Sequence, residues 1–407
     1  MDKIKTSQSL DKIIIVLLAV QIASVSFSIA LSSIAFGTWI GLWLIQILLD
    51  KKLKINKSLF KEIKTINIFI LLYILFEIFS RFFAVASGEE FIGLKRLLLF
   101  LIFYISIIKI LNKSTLYRIL FITLCVVSLV SIYELVLYSI KLKTFIDEVG
   151  FSEVRIDFLA YPLTSGQIKM MLILSVLPIL FVKDIFIVKK TYLVLILVPI
   201  FLSMILTQSR NVFLGTFVSF IIYGIVINRK FLLAFIVVLV LVWLFSPLDF
   251  QSRMLSIGNI DHPSNKSRLI MWDVGLKMFN DHPFTGVADS HILEVYKLYK
   301  KPEFNGEGSH LHSNFIMILA TTGIFGFLSY VGMMLSIFIK QIKIFKKEKE
   351  SKIDRALLFG GILVMVSFNI AGVFEWSFGD HEVMTVFFFL ISIPFILFNI
   401  MILKKQY

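Results

Sequence analysis

Apolar runs long enough to cross a bilayer recur from Ile13 to Leu403, set apart by short polar segments. Read as helical spans they number twelve: 13–30, 33–49, 66–86, 95–111, 119–140, 168–183, 192–207, 212–227, 231–248, 313–339, 356–373 and 384–403. The pattern predicts an all-α polytopic membrane protein with about twelve transmembrane helices. One interruption breaks the rhythm. From 250 to 312 the chain stays polar, and it ends in Ser309-His310-Leu311-His312-Ser313-Asn314 at the mouth of the tenth run. No repeat, low-complexity tract or Pro/Gly-rich linker divides the sequence. Residues 1–407 therefore read as a single membrane domain with the 250–312 loop inserted between spans nine and ten.

Within that loop the spacing predicts a helix over 264–279. Leu269, Trp272, Leu276 and Phe279 form its apolar face, Ser264 or Ser267 caps it, and Pro283 ends it. A second helix, over 291–300, follows Asp289-Ser290 and carries the stripe Ile292, Val295, Tyr296 and Tyr299. Both suit a position flat on the membrane, roofing a pocket at the interface. A smaller polar loop, 141–167, holds Arg155, Asp157 and Tyr161-Pro162-Leu163-Thr164-Ser165-Gly166-Gln167, polar enough to line a cavity.

Composition agrees with the membrane reading, at 58% hydrophobic residues and a mean hydropathy of +0.90. A net charge of +14 suggests nucleic acid in a soluble protein, but here the basic residues sit between spans and act as topology signals. No nucleic-acid partner is expected. With both termini cytoplasmic, inside segments hold 26 Lys and Arg against 14 outside, so the positive-inside rule favours that orientation. The basic stretch from Lys340 to Lys352 is then cytoplasmic and the 250–312 loop lies outside. A cleavable signal peptide is disfavoured, because the first run resembles the others and lacks a small-residue cleavage site after it. The single cysteine, Cys125, permits no intramolecular disulfide.

Charges and imidazoles at a membrane surface are costly unless something binds there, which directs attention to three positions. Arg210, in Thr207-Gln208-Ser209-Arg210-Asn211, joins two spans with hardly any loop. It fits either interfacial snorkelling or a guanidinium fork on phosphate oxygens. Arg268 opens Ser267-Arg268-Leu269-Ile270-Met271-Trp272 on the same side, as a solvated residue or a second phosphate ligand. His312 sits at or before the first turn of the tenth span, with Ser309 or Ser313 as cap, where a helix N-terminus favours a neutral imidazole able to act as general base. His310 is an alternative. Gly323 and Gly326, with Ala320, Thr321 and Thr322, give that span a small-residue face for close helix packing. No Asp-x-Asp occurs in the first outside loops, and Glu89-Glu90 and Asp147-Glu148 are weak substitutes for a metal site, so neither metal nor other cofactor is expected. Glu77 with Arg81 four residues on, Glu134 and Asn369 read as structural. The last outside loop, Phe374-Glu375-Trp376-Ser377-Phe378-Gly379-Asp380-His381-Glu382-Val383, suits an acceptor-sugar surface or a plain interfacial cap.

His312-Ser313, nine residues, then Gly323-Ile324-Phe325-Gly326 resembles the His-[Asn/Ser/Gln]-x9-Gly-x-x-Gly signature of bacterial O-antigen ligases. Phe27-Ser28-Ile29-Ala30-Leu31-Ser32, Gln208-Ser209-Arg210-Asn211, Arg268 with Trp272, Asp281-His282-Pro283-Phe284-x-Gly286 and Phe374-Glu375-Trp376-x-Phe378-Gly379-Asp380 are also similar to that family. The sequence departs from it at Phe327 and Asn211, and neither change removes a reactive group. The resemblance implies a C-type glycosyltransferase membrane fold in the bacterial inner membrane. It further implies metal- and nucleotide-independent, inverting transfer of a glycan from undecaprenyl diphosphate to lipid A-core at the periplasmic face. Arg210 and Arg268 would hold the diphosphate, and His312 would activate or orient the acceptor hydroxyl. His310, Asn314, Gln208 and Trp272 would support them. A polysaccharide polymerase using the same donor, or a protein-directed oligosaccharyltransferase, shares these features. A transporter fits less well, since no inverted repeat or pair of broken midplane helices is visible and the candidate charges gather on one face.

Overall fold

A computed structural model describes residues 2–50, 56–86, 88, 91, 93–149, 154–183, 187–246, 248–256, 258–302, 304 and 310–405; Glu89, Glu90 and Ser309 lie outside them, as do the side chains of Asp147 and Glu148. Regular structure among these residues is entirely helical, as lipid demands of a backbone that must satisfy its own polar groups. In chain order the helices are α1 (Asp2–Ser24), α2 (Ile29–Asp50), α3 (Lys57–Glu62), α4 (Lys64–Arg81), α5 (Phe100–Lys109), α6 (Lys113–Val149), α7 (Pro162–Val176), α8 (Lys190–Leu206), α9 (Arg210–Val226) and α10 (Arg229–Phe245). They continue as α11 (Leu248–Leu255), α12 (Pro263–Asp281), α13 (Ile292–Tyr299), α14 (Asn314–Lys347), α15 (Lys352–Gly372) and α16 (His381–Lys405). Short 3-10 turns, Leu94–Leu99 and Leu177–Phe181, precede α5 and extend α7.

Each apolar run lies largely on helix, but the run 13–30 crosses the break between α1 and α2, and 66–86 outruns the end of α4 at Arg81. Among the described residues seven helices are long and apolar enough to cross a membrane: α1, α2, α6, α7 with its 3-10 turn, α14, α15 and α16. The other five runs fall on α4, α5, α8, α9 and α10. The last three are 17 residues each, α5 has 10, and α4 carries Lys64, Glu77 and Arg81 within its 18. Helix ends follow local capping. Asn56 accepts from the amides of Ser58 and Leu59, Asn228 from Phe231, and Ser351 from Asp354.

The centre of the bundle is α7, α15 and α16, which are buried nearly all round, as expected of helices without a polar face. Phe368 of α15 stacks on Phe387 of α16 with ring centroids 3.8 Å apart. At the other extreme α10 has no buried residue and packs on α9.

The polar 250–312 segment is not an open loop but a folded cap. Met271, Val274 and Met278 of α12, with Ile292, Val295 and Tyr296 of α13, build a second core against Leu311, Met317 and Ala320. This corrects the face expected for the first cap helix. Leu269 and Leu276 are exposed, while Met271, Val274 and Met278 are buried on the face where Gly275 lets Leu311 and Ile316 come close. Its N-cap is also neither Ser264 nor Ser267. His262 Nδ1 accepts from the Ser264 amide at 3.3 Å, with Pro263 at the first helical position. The smaller loop is shorter than 141–167, since α6 runs on to Val149 and the Tyr161–Gln167 stretch forms the first turns of α7.

Candidate functional site

Two sequence-distant motifs meet at a break in α14. Gly323 has φ 67° and ψ −172°, which interrupts the helix and frees backbone groups on both sides. The turn 283–288 satisfies them: Pro283 O accepts from Ile324 N at 2.8 Å, and the amides of Val287 and Ala288 donate to Ala320 O and Thr321 O at 3.0 Å each. Gly286, at φ 67°, approaches so closely that a Cβ would lie 2.2 Å from Thr321 O, and one on Gly323 would lie 2.7 Å from the Phe284 carbonyl. Gly323 is thus a helix break that receives a loop, rather than the helix-packing glycine expected from its spacing. At Gly326 the helix passes Phe76 of α4, whose Cβ is 3.5 Å from where a Cβ would stand.

This joint sets the start of α14. Ser313 caps it by accepting from Ile316 N, and His312 just before adopts φ 43°. The imidazoles of His310 and His312 lie 4.1 Å apart, and both bind the carboxylate of Glu375. His310 Nε2 is 3.0 Å and His312 Nδ1 3.1 Å from its oxygens. Burial pushes the Glu375 carboxyl up, but hydrogen bonds and charge from the two histidines outweigh it and hold the group at about 2. Asn314, fully buried, accepts from the Phe378 amide at 2.9 Å and so pins the turn that carries Glu375.

The two predicted arginines are tied to one stretch of the cap. Arg210 Nη1 donates to Ser256 Oγ at 3.2 Å; Ser256 O also accepts from Asn265; Arg268 Nη1 donates to Ser264 Oγ at 3.0 Å. Gln208, with φ 50°, donates to Val154 O at 3.0 Å and anchors the turn before Arg210, where Arg155 also binds Thr207 O. The Trp272 ring lies 6.0 Å from that of Phe374, next to Glu375.

A cavity of about 400 Å³ opens beside the histidines. Its walls come from the start of α7 (Leu163, Thr164, Gln167), the cap (Asp289, Ile292), His310, Met317 and the turn from Glu375 to Asp380. His310 is on this wall; His312, Arg210 and Arg268 are not.

Three features escaped the sequence reading. Glu375 belonged to a quoted motif, yet its bond to two histidines more than 60 residues away has no local signal. Glu77 and Arg81 do pair at 3.0 Å, but Arg96 also binds Glu77 at 2.6 Å, and Asp289 bridges both arginines, so two buried and two half-buried charges join α4, the 3-10 turn and the cap. Arg96 additionally lies over the Trp376 ring at 5.6 Å. Lys169 of α7 pairs with Glu134 of α6, and Ser165 and Ser203 bind the ammonium at 2.6 and 2.7 Å. A metal would find suitable donors only at His310, His312 and Glu375, among the described residues, where the ligand atoms lie within 4.8 Å of one another. Those atoms are the ones already joined by hydrogen bonds.

No curated protein matches this chain. Residues 192–331 match a family model described as O-antigen ligase, a segment running from α8 through the break in α14. Arg210, Arg268, His312, Gly323 and Gly326 fall inside it, and Glu375 beyond it. The signature motifs and the matched segment are both similar to the O-antigen ligases, and the match covers residues 192–331, about a third of the chain.

Proposed function

We propose that the protein is an O-antigen ligase-type membrane glycosyltransferase that moves a glycan from undecaprenyl diphosphate to a sugar hydroxyl of lipid A-core. In this reading the chain crosses the bacterial inner membrane twelve times with both termini cytoplasmic, and the cap faces the periplasm. The acceptor oxygen attacks the anomeric carbon and its proton passes to an imidazole. The bond from that carbon to the diphosphate oxygen breaks with inversion, and Arg210 and Arg268 stabilise the charge on the departing diphosphate. Glu375, ionised, binds Nδ1 of His312; with that nitrogen protonated, Nε2 is the acceptor for the hydroxyl proton. The observation that carries the reading is this two-histidine, one-carboxylate cluster beside a cavity, with both histidines inside the matched segment.

The test is reconstitution of the full chain with lipid-linked donor and either lipid A-core or a second donor molecule as acceptor. Transfer to lipid A-core is expected, insensitive to EDTA. His312→Ala should lower the rate by roughly 10²–10⁴-fold, the range for loss of a general base. Transfer only to the second donor makes the protein a polymerase, and full activity of the His312→Ala variant removes the proposed base. His310 stands on the cavity wall, so a larger loss in His310→Ala than in His312→Ala assigns proton transfer to His310.

A further inference from the structure

Behind the turn that carries Arg210 lies a buried ion pair for which the transfer reaction has no use. Lys169 of α7 is 2% exposed and Glu134 of α6 is 1% exposed. Every N–H of the ammonium is taken: by Glu134, by Ser165 Oγ at 2.6 Å and by Ser203 Oγ, in the last turn of α8, at 2.7 Å. Ser203 Oγ in turn donates to Glu134 Oε2 at 2.7 Å. So saturated a cluster offers nothing to a ligand. Nor is it the most stable way to pack three helices, since apolar side chains of similar volume often replace a buried ion pair without loss. What it supplies is direction, because charge-assisted hydrogen bonds fix the register of α7 against α8 where apolar surfaces alone leave it looser.

That register is passed on to Arg210. Ser203 O accepts from Thr207 N at 3.1 Å, and Thr207 opens the turn that leads to Arg210. Gly166, next to Ser165, approaches the same turn so closely that a Cβ would lie 2.9 Å from Thr207 Oγ1. Ser209, the N-cap of α9, donates to Pro162 O at 3.1 Å, in the first turn of α7. We infer that the Lys169–Glu134 pair, through Ser203, is a positioning element that aims Arg210 at the lipid-linked diphosphate. It acts through Arg210 and not on the substrate directly, and it rests on the proposed role of Arg210 as a diphosphate ligand.

Titration of undecaprenyl diphosphate, carrying no glycan, into the full-length protein in nanodiscs tests it, with dissociation constants read by microscale thermophoresis. Arg210→Ala should weaken binding by at least about tenfold, as expected for loss of charged hydrogen bonds. Ser203→Ala cuts the link and leaves the ion pair in place. It should weaken binding about fivefold in the parent but less than about twofold in an Arg210→Ala background, because a positioning effect vanishes with the residue positioned, whereas a general structural effect adds in both. Lys169→Met with Glu134→Leu should weaken binding about tenfold with the same dependence on Arg210, while the melting temperature stays near that of the parent or rises. Equal losses in both backgrounds, no loss from either variant, or failure of both to fold overturns the inference while leaving Arg210 as a ligand. Parent-like binding by Arg210→Ala alone removes the diphosphate reading itself, and the inference with it.

Discussion

Two neighbouring regions along α14 treat polar atoms in opposite ways. At Gly323 the helix is broken, yet each freed group named above is matched by the 283–288 turn, through three backbone hydrogen bonds of 2.8–3.0 Å. Six residues earlier Met317 borders a cavity where a side-chain amide oxygen and a hydroxyl have no partner. A joint with every group satisfied has much to lose from distortion, whereas two unpaired atoms, themselves closed to solvent, cost stability where they stand. Asp289, one residue past the joint and on the cavity wall, connects them.

The comparison breaks most severely at Gly286. Gly286→Val places a branched side chain at φ 67° and within 2.2 Å of a backbone oxygen, so a loss exceeding about 4 kcal/mol is expected. It would be seen as absent monodisperse protein, and a variant melting like the parent would refute the joint. Asp289→Ala removes the carboxylate shared by Arg81 and Arg96, and breaking a buried ion network costs roughly 3–5 kcal/mol, read as a lowered melting temperature. Acid should act next. The folded-state pKa of Glu375 is depressed from 4.5 to about 2, so its contribution is present above about pH 4.5 and is lost as pH falls toward 2. That contribution is at most about 3 kcal/mol, and melting curves of the parent and Glu375→Gln should converge across this window. The smallest effect belongs to Gln167→Ala, which removes an unpaired buried oxygen and should shift stability by less than about 1 kcal/mol.

What the sequence disclosed followed from period and composition. Long apolar runs settle on helix because lipid leaves them no alternative, which is why the all-helical class and seven long apolar helices were legible and why α16 was misplaced by only a few residues at its start. Motifs singled out the residues around Arg210, Arg268 and His312. What stayed hidden depends on a partner distant in the chain. The 271, 274, 275 and 278 face of α12 is chosen by α14, not by the bulk of its own side chains. The φ of Gly323 is imposed by the turn it receives, and spacing alone made it look like a packing residue. Arg96 and Asp289 carry no local signal of their partners, and only the fold brings them to Glu77 and Arg81.

Asn314 follows His312 by two residues, and its partner Phe378 follows Glu375 by three. The imidazole and the carboxylate that steadies it are therefore clamped in one jig, bolted at a single buried amide. Any tilt of α14 carries both together and preserves their mutual aim, so movement of the cap alters what reaches the pair without retuning the pair itself.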